Sequence, residues 1–184
     1  MTIYTTITDT PLGKIQTAAE NNALTGLWFI GQKYFPTSMD SWNNEPDYPV
    51  FIALKKWLKD YFAGKNPVML IPLAPSGSEN RKPLDFRKSS DFRKPSNFRK
   101  SVWKILLEIP YGETVTYGDI SAKLLSSGII SSAQAVGGAV GHNPISILIP
   151  CHRVIGSDGS LTGYAGGTEK KLALLELEKR AVNA

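Results

Sequence analysis

A cysteine followed directly by a histidine, Cys151-His152, is the pairing in this 184-residue chain best suited to covalent chemistry, and both types are scarce: one cysteine and two histidines. A thiol reacts as its thiolate, and an adjacent base or a positive field makes the thiolate available. A lone buried cysteine is ordinarily an inert small hydrophobe, but the flanks Pro150, His152, Arg153 and Val154 argue for reactivity. On an extended segment neighbouring side chains point to opposite faces, so His152 is expected to reach Cys151 through a bridging water. A carboxylate should then orient the imidazole. Glu178 is one candidate, and Glu169 and Glu176 are the alternatives. Arg153 either holds this segment by charge-assisted bonds to carbonyls or a carboxylate, or stands in solvent to meet a phosphate. His142 reads as a surface or groove residue.

One cysteine forms no internal disulfide and no cysteine-rich zinc site, which excludes a stapled secreted domain. No metal site and no cofactor are expected. Twenty-one Lys and Arg against sixteen Asp and Glu leave a net charge of +5, a surplus that favours polyanionic partners without proving one. No stretch approaches the roughly 18 apolar residues of a membrane helix, and the start lacks a signal pattern. The expected setting is the cytoplasm, in association with the nucleoid.

The elements that must position Cys151 fall into two groups. Residues 2–8, 14–19 and 24–30 read as strands of a small antiparallel sheet, with Asn21-Asn22 as a turn that tolerates left-handed backbone. Phe51, Leu54, Trp57, Leu58, Tyr61 and Phe62 recur at helical spacing, and Gly64 should end that helix. Between residues 72 and 101 a six-residue motif repeats, Asp85-Phe86-Arg87-Lys88, Asp91-Phe92-Arg93-Lys94 and Asn97-Phe98-Arg99-Lys100. The repeat is too short for a solenoid and reads as a duplicated basic linker, with a DNA-contacting arm as the alternative.

Beyond it, Phe98, Val102, Ile105, Leu106 and Ile109 form one helical stripe stopped by Pro110, capped by Ser96 or Asn97. Tyr111-Gly112-Glu113 is a turn, Thr116 can cap a helix carrying Ile120 and Leu124, and Ser131 or Ser132 opens another through Ala139. Helix, break, helix suggests a helix-turn-helix. The second helix, residues 133–140, is made almost entirely of small residues; each glycine costs roughly 1 kcal/mol relative to alanine. Groove insertion and tight helix packing explain that composition equally well. Ile145–Ile149 reads as a short buried strand delivering Cys151, and a last helix carries Leu172, Leu174, Leu175 and Leu177.

Pro150-Cys151-His152-Arg153-Val154 followed by Gly163-Tyr164-Ala165-Gly166-Gly167 resembles the O6-alkylguanine-DNA alkyltransferases. Ile109-Pro110-Tyr111-Gly112-Glu113-Thr114-Val115-Thr116-Tyr117-Gly118, Ala135-Val136-Gly137-Gly138-Ala139 and Asn143-Pro144 resemble the same family. The resemblance is dense from Phe98 to Glu178 and looser around Leu24-Thr25-Gly26-Leu27-Trp28-Phe29. It implies an α+β chain: a small ribonuclease-H-like α/β domain (1–75), the basic linker (76–97), and a mainly helical, winged-helix-like DNA-binding and transfer domain (98–184).

The implied activity is suicidal DNA repair, in which a cysteine takes the alkyl group from O6-alkylguanine, with O4-alkylthymine a second candidate, and is not regenerated. On the matching positions, Cys151 is the acceptor, His152 with a water its base, Glu178 the residue orienting His152, Tyr117 the phenol that protonates guanine N3, and Asn143 the brace of the turn before the site. Val154 and the loop Tyr164, Ala165 and Gly166 would shape the pocket. Gln134, Ala135, Gly137, Gly138 and Arg153 would meet DNA in the minor groove with the target guanine flipped out. A monomer that could assemble cooperatively on DNA is expected.

The sequence departs from the family pattern where Gln134 stands in place of an arginine that fills the hole left by the flipped base. Glutamine lacks the charge and planar fork of arginine, so weaker capture of the flipped state is expected. Two rival readings are a non-repairing sensor of alkylated DNA, which Cys151 opposes, and a cysteine hydrolase, which usually brings cysteine and histidine together from distant positions.

Overall fold

The computed structural model describes residues 2–37, 39, 41–75 and 97–183. The chain divides into two compact units, Met1–Lys94 with Pro144–Ser146, and Pro95–Asn143 with Ile147–Ala184. The linker expected at 76–97, with the first two copies of its repeat and the Ser96 cap, lies outside the described residues except for Asn97.

In the first unit β1 (Tyr4–Thr8), β2 (Ile15–Glu20), β3 (Ala23–Phe29) and β4 (Asn43–Asn44) form one sheet in the order β3-β2-β1-β4. β1, β2 and β3 pair antiparallel, and β4 adds in parallel to β1. The β2–β3 turn uses Asn21 and Asn22, both left-handed at φ 49° and 57°, a conformation that asparagine tolerates. Helix α1 (Pro49–Phe62) buries Val50, Phe51, Leu54, Leu58 and Tyr61. Gly64 follows its end at φ 77°. The free edge of β3 is covered rather than bare. Leu24 exchanges hydrogen bonds with Pro72 and Ala74, and Leu27 with Pro144 and Ser146.

The second unit is mainly helical: α2 (Asn97–Leu106), α3 (Tyr117–Ser126), α4 (Ala133–Gly141) and α5 (Thr168–Val182), with one parallel pair of two-residue strands, β5 (Val115–Thr116) and β6 (Val154–Ile155). Thr116 caps α3, accepting from the Asp119 amide, while the Asp119 carboxylate accepts from the Thr116 amide in a capping box. Gly128, at φ 79°, closes the C-terminal end of α3, and Ser132 caps α4. Trp103 is buried and its indole N–H donates to the Ala139 carbonyl at 2.9 Å, which fixes α4 against α2.

Three readings of the sequence are corrected. Helix α2 ends at Leu106, because the chain tightens into i→i−3 bonds through Ile109, the residue that Pro110 pushes out of helical conformation. Ile145–Ile149 is no strand. Only Ile145 makes a β-bridge, to Leu27, and Ile147 is left-handed at φ 70°; its apolar run reports burial, which helix, strand and turn share. Cys151–Arg153 is a 3-10 turn, not an extended segment. The buried face of α5 is Lys171, Leu174 and Glu178, with Leu172 46% exposed.

Candidate active site

Cys151 opens the 3-10 turn, its amide bonded to the Ile149 carbonyl at 2.7 Å, and Val154 then enters β6 opposite Val115. The short β5–β6 pair therefore ties the cysteine turn to the residues that begin α3. Asn143 leaves the end of α4 buried, and its Nδ2 donates to the Ile149 carbonyl at 2.8 Å and to Cys151 Sγ at 3.0 Å. Cys151 is 4% exposed. Burial pushes its thiol up to about 11, opposed by the Asn143 amide and then by the positive charge of Lys171.

His152 Nε2 lies 2.8 Å from Glu178 Oε1, and both side chains are fully buried. Burial lowers the His152 pKa, against the opposing pull of Glu178. Burial alone would raise the Glu178 pKa, but the hydrogen bonds from His152 and Arg153 and the positive charge of Arg153 outweigh it and hold the carboxyl well below the usual carboxylate range. The pair thus rests as neutral imidazole and ionised carboxylate. With Nε2–H given to Glu178, the basic lone pair of the ring is on Nδ1. A proton arriving there creates an imidazolium that Glu178 is placed to stabilise.

Glu178 is held from three directions. Arg153 Nε donates to Oε2 at 2.8 Å and its second terminal nitrogen to Oε1 at 2.9 Å, while the Gly112 amide donates to Oε2 at 3.1 Å. The other Arg153 terminal nitrogen donates to the Ile109 carbonyl at 2.7 Å, and the guanidinium lies 5.5 Å from the centre of the Tyr111 ring. This corrects the grouping of Arg153 with the DNA contacts. Its fork is spent inside the protein, because a buried carboxylate needs a paired cation.

The Tyr117 hydroxyl donates to the Thr162 carbonyl at 2.8 Å. Burial, then the Cys151 charge, raises its pKa, so the phenol keeps its proton. Gly163 sits against it at φ 82°, and an added Cβ there would fall 2.5 Å from the Tyr117 oxygen. Tyr164 is buried, its ring edge-on to His152 at 6.5 Å between centres, and Ala165 and Gly166 are half-buried on the same loop.

Helix α4 has two distinct sides. Val136, Ala139 and Val140 are buried, whereas Gln134, Ala135 and Gly138 are exposed. Gly137 is half-buried with its Cβ position 3.7 Å from the Tyr117 ring, but a Cβ on Gly138 would meet nothing within 4 Å among the described residues. Tight packing against the described residues therefore does not account for Gly138.

Residues 97–180 match the 6-O-methylguanine DNA methyltransferase, DNA binding domain, and residues 3–75 match the 6-O-methylguanine DNA methyltransferase, ribonuclease-like domain. The chain belongs to the 6-O-methylguanine DNA methyltransferase family. The methylated-DNA–protein-cysteine methyltransferase of Mycobacterium bovis is 43% identical over 176 residues, covering 96% of this chain and 92% of the relative. That of Haemophilus influenzae is 35% identical over 178 residues, covering 96% and 87%. The crystal structure of Mycobacterium tuberculosis O6-methylguanine methyltransferase superposes with a TM-score of 0.79 at 37% identity, covering 97% of this chain and 94% of that one. A second, of Mycobacterium tuberculosis OGT in complex with DNA, gives 0.77 at 38% identity, covering 98% and 94%.

For this member of the methyltransferase family, sequence reasoning passed over Lys171, Gly112 and Ile109. Lys171 is fully buried, its Nζ bonded to the Val154 carbonyl at 2.6 Å and the Thr162 carbonyl at 3.0 Å. The available signal was spacing: Lys171, Leu174 and Glu178 fall on one helical face, so a cation shares the face of the nominated carboxylate. Gly112 and Ile109 act through backbone atoms, which leave no mark in residue type.

Proposed function

We propose that this chain repairs DNA by direct reversal, taking the alkyl group from O6 of guanine onto Cys151 in one irreversible displacement. The observation that carries the reading is Cys151 bonded to Asn143 and followed by the buried His152–Glu178 pair, in a domain of the DNA-binding methyltransferase family. The thiol proton passes to His152 through a water, and Glu178 stabilises the resulting imidazolium. The sulfur lone pair attacks the alkyl carbon, an S–C bond forms, and the O6–C bond breaks. Tyr117 supplies a proton to N3 as charge builds on the dealkylated guanine, and the proton taken up by His152 returns through the site to Tyr117, so the thiol proton ends on a guanine that stays in the DNA. O4-alkylthymine presents the same oxygen–alkyl bond and is the second candidate substrate.

The partner is alkylated DNA. In this reading α4 enters the minor groove with Gln134, Ala135, Gly137 and Gly138, and the target base is flipped to reach Cys151, because guanine O6 is shielded inside a stacked duplex. The exposed, unfilled face at Gly138 supports a close backbone approach. Val154, Tyr164, Ala165 and Gly166 then line the base pocket, and Gln134 stands where the orphaned cytosine would be met. The chain acts as a monomer, with cooperative assembly on DNA as an open form, in the cytoplasm with the nucleoid.

Intact mass after mixing with an oligonucleotide containing O6-methylguanine tests the reaction, with Cys151→Ser alongside. One methyl gained by the unmutated chain alone is expected. Binding of the lesion with no mass gain would make the chain a sensor and end the repair reading.

A further inference from the structure

We propose that Lys171 is a positioning residue for alkyl transfer, whose buried ammonium holds the carbonyls of Val154 and Thr162 around Cys151 and supplies the positive charge that balances the thiolate. The proposal rests on the alkyl-transfer reading of the site.

Lys171 is the one fully buried lysine among the described residues, and burial of an ammonium is costly unless an anion answers it. No carboxylate does so among the described residues: its hydrogen bonds go to the neutral carbonyls of Val154 and Thr162. The nearby carboxylate, Glu178, is already met by Arg153, His152 and the Gly112 amide. Among the described residues the group that acts on the ammonium with negative charge is the ionised Cys151, and each favours the charged form of the other. The other groups bearing on that sulfur are the Asn143 amide, the Cys151 and His152 backbone and the Tyr117 phenol, none of them positively charged. Arg153 is occupied by Glu178.

The position of Lys171 also joins the sulfur to the proton donor. The Thr162 carbonyl accepts from Lys171 and from the Tyr117 hydroxyl at once, and the Val154 carbonyl follows directly on the cysteine turn. One side chain therefore sets the charge at the nucleophile and the carbonyl that aims the phenol. Burial brings the lysine down to about 8, so it is charged at neutral pH and loses that charge as the solution becomes moderately alkaline.

The pH dependence of Cys151 alkylation by iodoacetamide, read by intact mass, titrates the thiol without DNA, and with a single cysteine the product has one source. Lys171→Gln keeps hydrogen-bond donors and loses the charge; Lys171→Arg keeps the charge at every accessible pH. In Lys171→Gln the thiolate population at neutral pH is expected to fall about tenfold, equivalent to a midpoint raised by about one unit, with alkyl transfer slowed in parallel, and Lys171→Arg restores most of both. Above pH 8 the transfer rate of Lys171→Arg should keep rising where that of the unmutated chain flattens, a comparison that stands even if Lys171→Gln does not fold. Equal thiolate midpoints in all folded forms, or superimposable pH profiles for the unmutated and Lys171→Arg chains, would reduce Lys171 to a structural clamp and overturn the proposal. An unmutated chain that transfers no alkyl group while its thiolate still responds to Lys171→Gln would sink the repair reading and leave the electrostatic coupling standing.

Discussion

Asn143 Nδ2 stands 3.0 Å from Sγ of Cys151 and 2.8 Å from the Ile149 carbonyl, so one amide group holds both the nucleophile and the chain that delivers it. A donor on sulfur is worth more once the sulfur carries charge, because hydrogen bonds to ions are the stronger ones. Asn143→Ala removes it and also strips the Ile149 carbonyl of a buried donor. We expect alkyl transfer to slow by about 10 to 100-fold, in line with about 1.5–3 kcal/mol for a charged hydrogen bond. Single-turnover kinetics against Cys151 thiolate titration checks this, and a slower rate without a raised thiolate midpoint would assign Asn143 to the backbone alone.

Arg153 gives a contrasting prediction, since its guanidinium is turned inward. Arg153→Ala leaves a buried carboxylate without its cation and should lower stability by about 3 kcal/mol, measured by denaturant unfolding. The salt dependence of DNA binding should keep its slope, whereas loss of a phosphate contact would reduce it by about one. A reduced slope with unchanged stability would return Arg153 to the DNA interface.

Gly138 separates stability from binding. A Cβ there would meet nothing within 4 Å among the described residues, so Gly138→Leu should stabilise α4 by up to about 1 kcal/mol through helix propensity. DNA binding should nevertheless weaken by about tenfold, a loss near 1.4 kcal/mol. Thermal unfolding and an equilibrium binding assay on the same variant decide it, and unchanged affinity would remove α4 from the groove.

The acid side of the stability profile should bear the mark of His152. Its folded pKa lies below the ordinary 6.5, so the unfolded chain binds a proton there that the folded chain refuses. Stability is full above 6.5 and falls as pH drops below it. Glu178 adds a second loss of the same sign below 4.5, where its unfolded carboxyl protonates. His152→Gln should flatten the fall between about pH 7 and pH 5, as read from unfolding midpoints. Parallel curves for the two chains would show His152 taking its proton without penalty when folded.

Much of this arrangement is legible in residue order, for reasons that differ by element. Asn21-Asn22, Thr116, Gly128 and Ser132 announce turns and caps because their local backbone preferences need no distant partner. The Cys151-His152 adjacency marks the nucleophile in the same way, whereas Glu178 stood level with Glu169 and Glu176 until the family resemblance singled it out. Where readings failed, tertiary packing had the deciding role. Ile145–Ile149 is apolar because it is enclosed, and Lys171 went unmarked among the leucines of α5 although it shares the buried face of Glu178. Arg153 could be placed on either side of the surface until Glu178 and the Ile109 carbonyl claimed it.

The hydrogen bonds from Leu27 to Pro144 and Ser146 bear on how the chain comes to be folded during synthesis. The first unit is assembled from a long leading stretch and a three-residue piece that the ribosome makes much later. A growing chain that has already formed β1, β2, β3 and α1 leaves the outer edge of β3 at Leu27 waiting until Ser146 has emerged. The turn joining Asn143 to Cys151 is produced in that same interval, so completion of the first unit and arrival of the nucleophile are nearly simultaneous events in the life of each molecule.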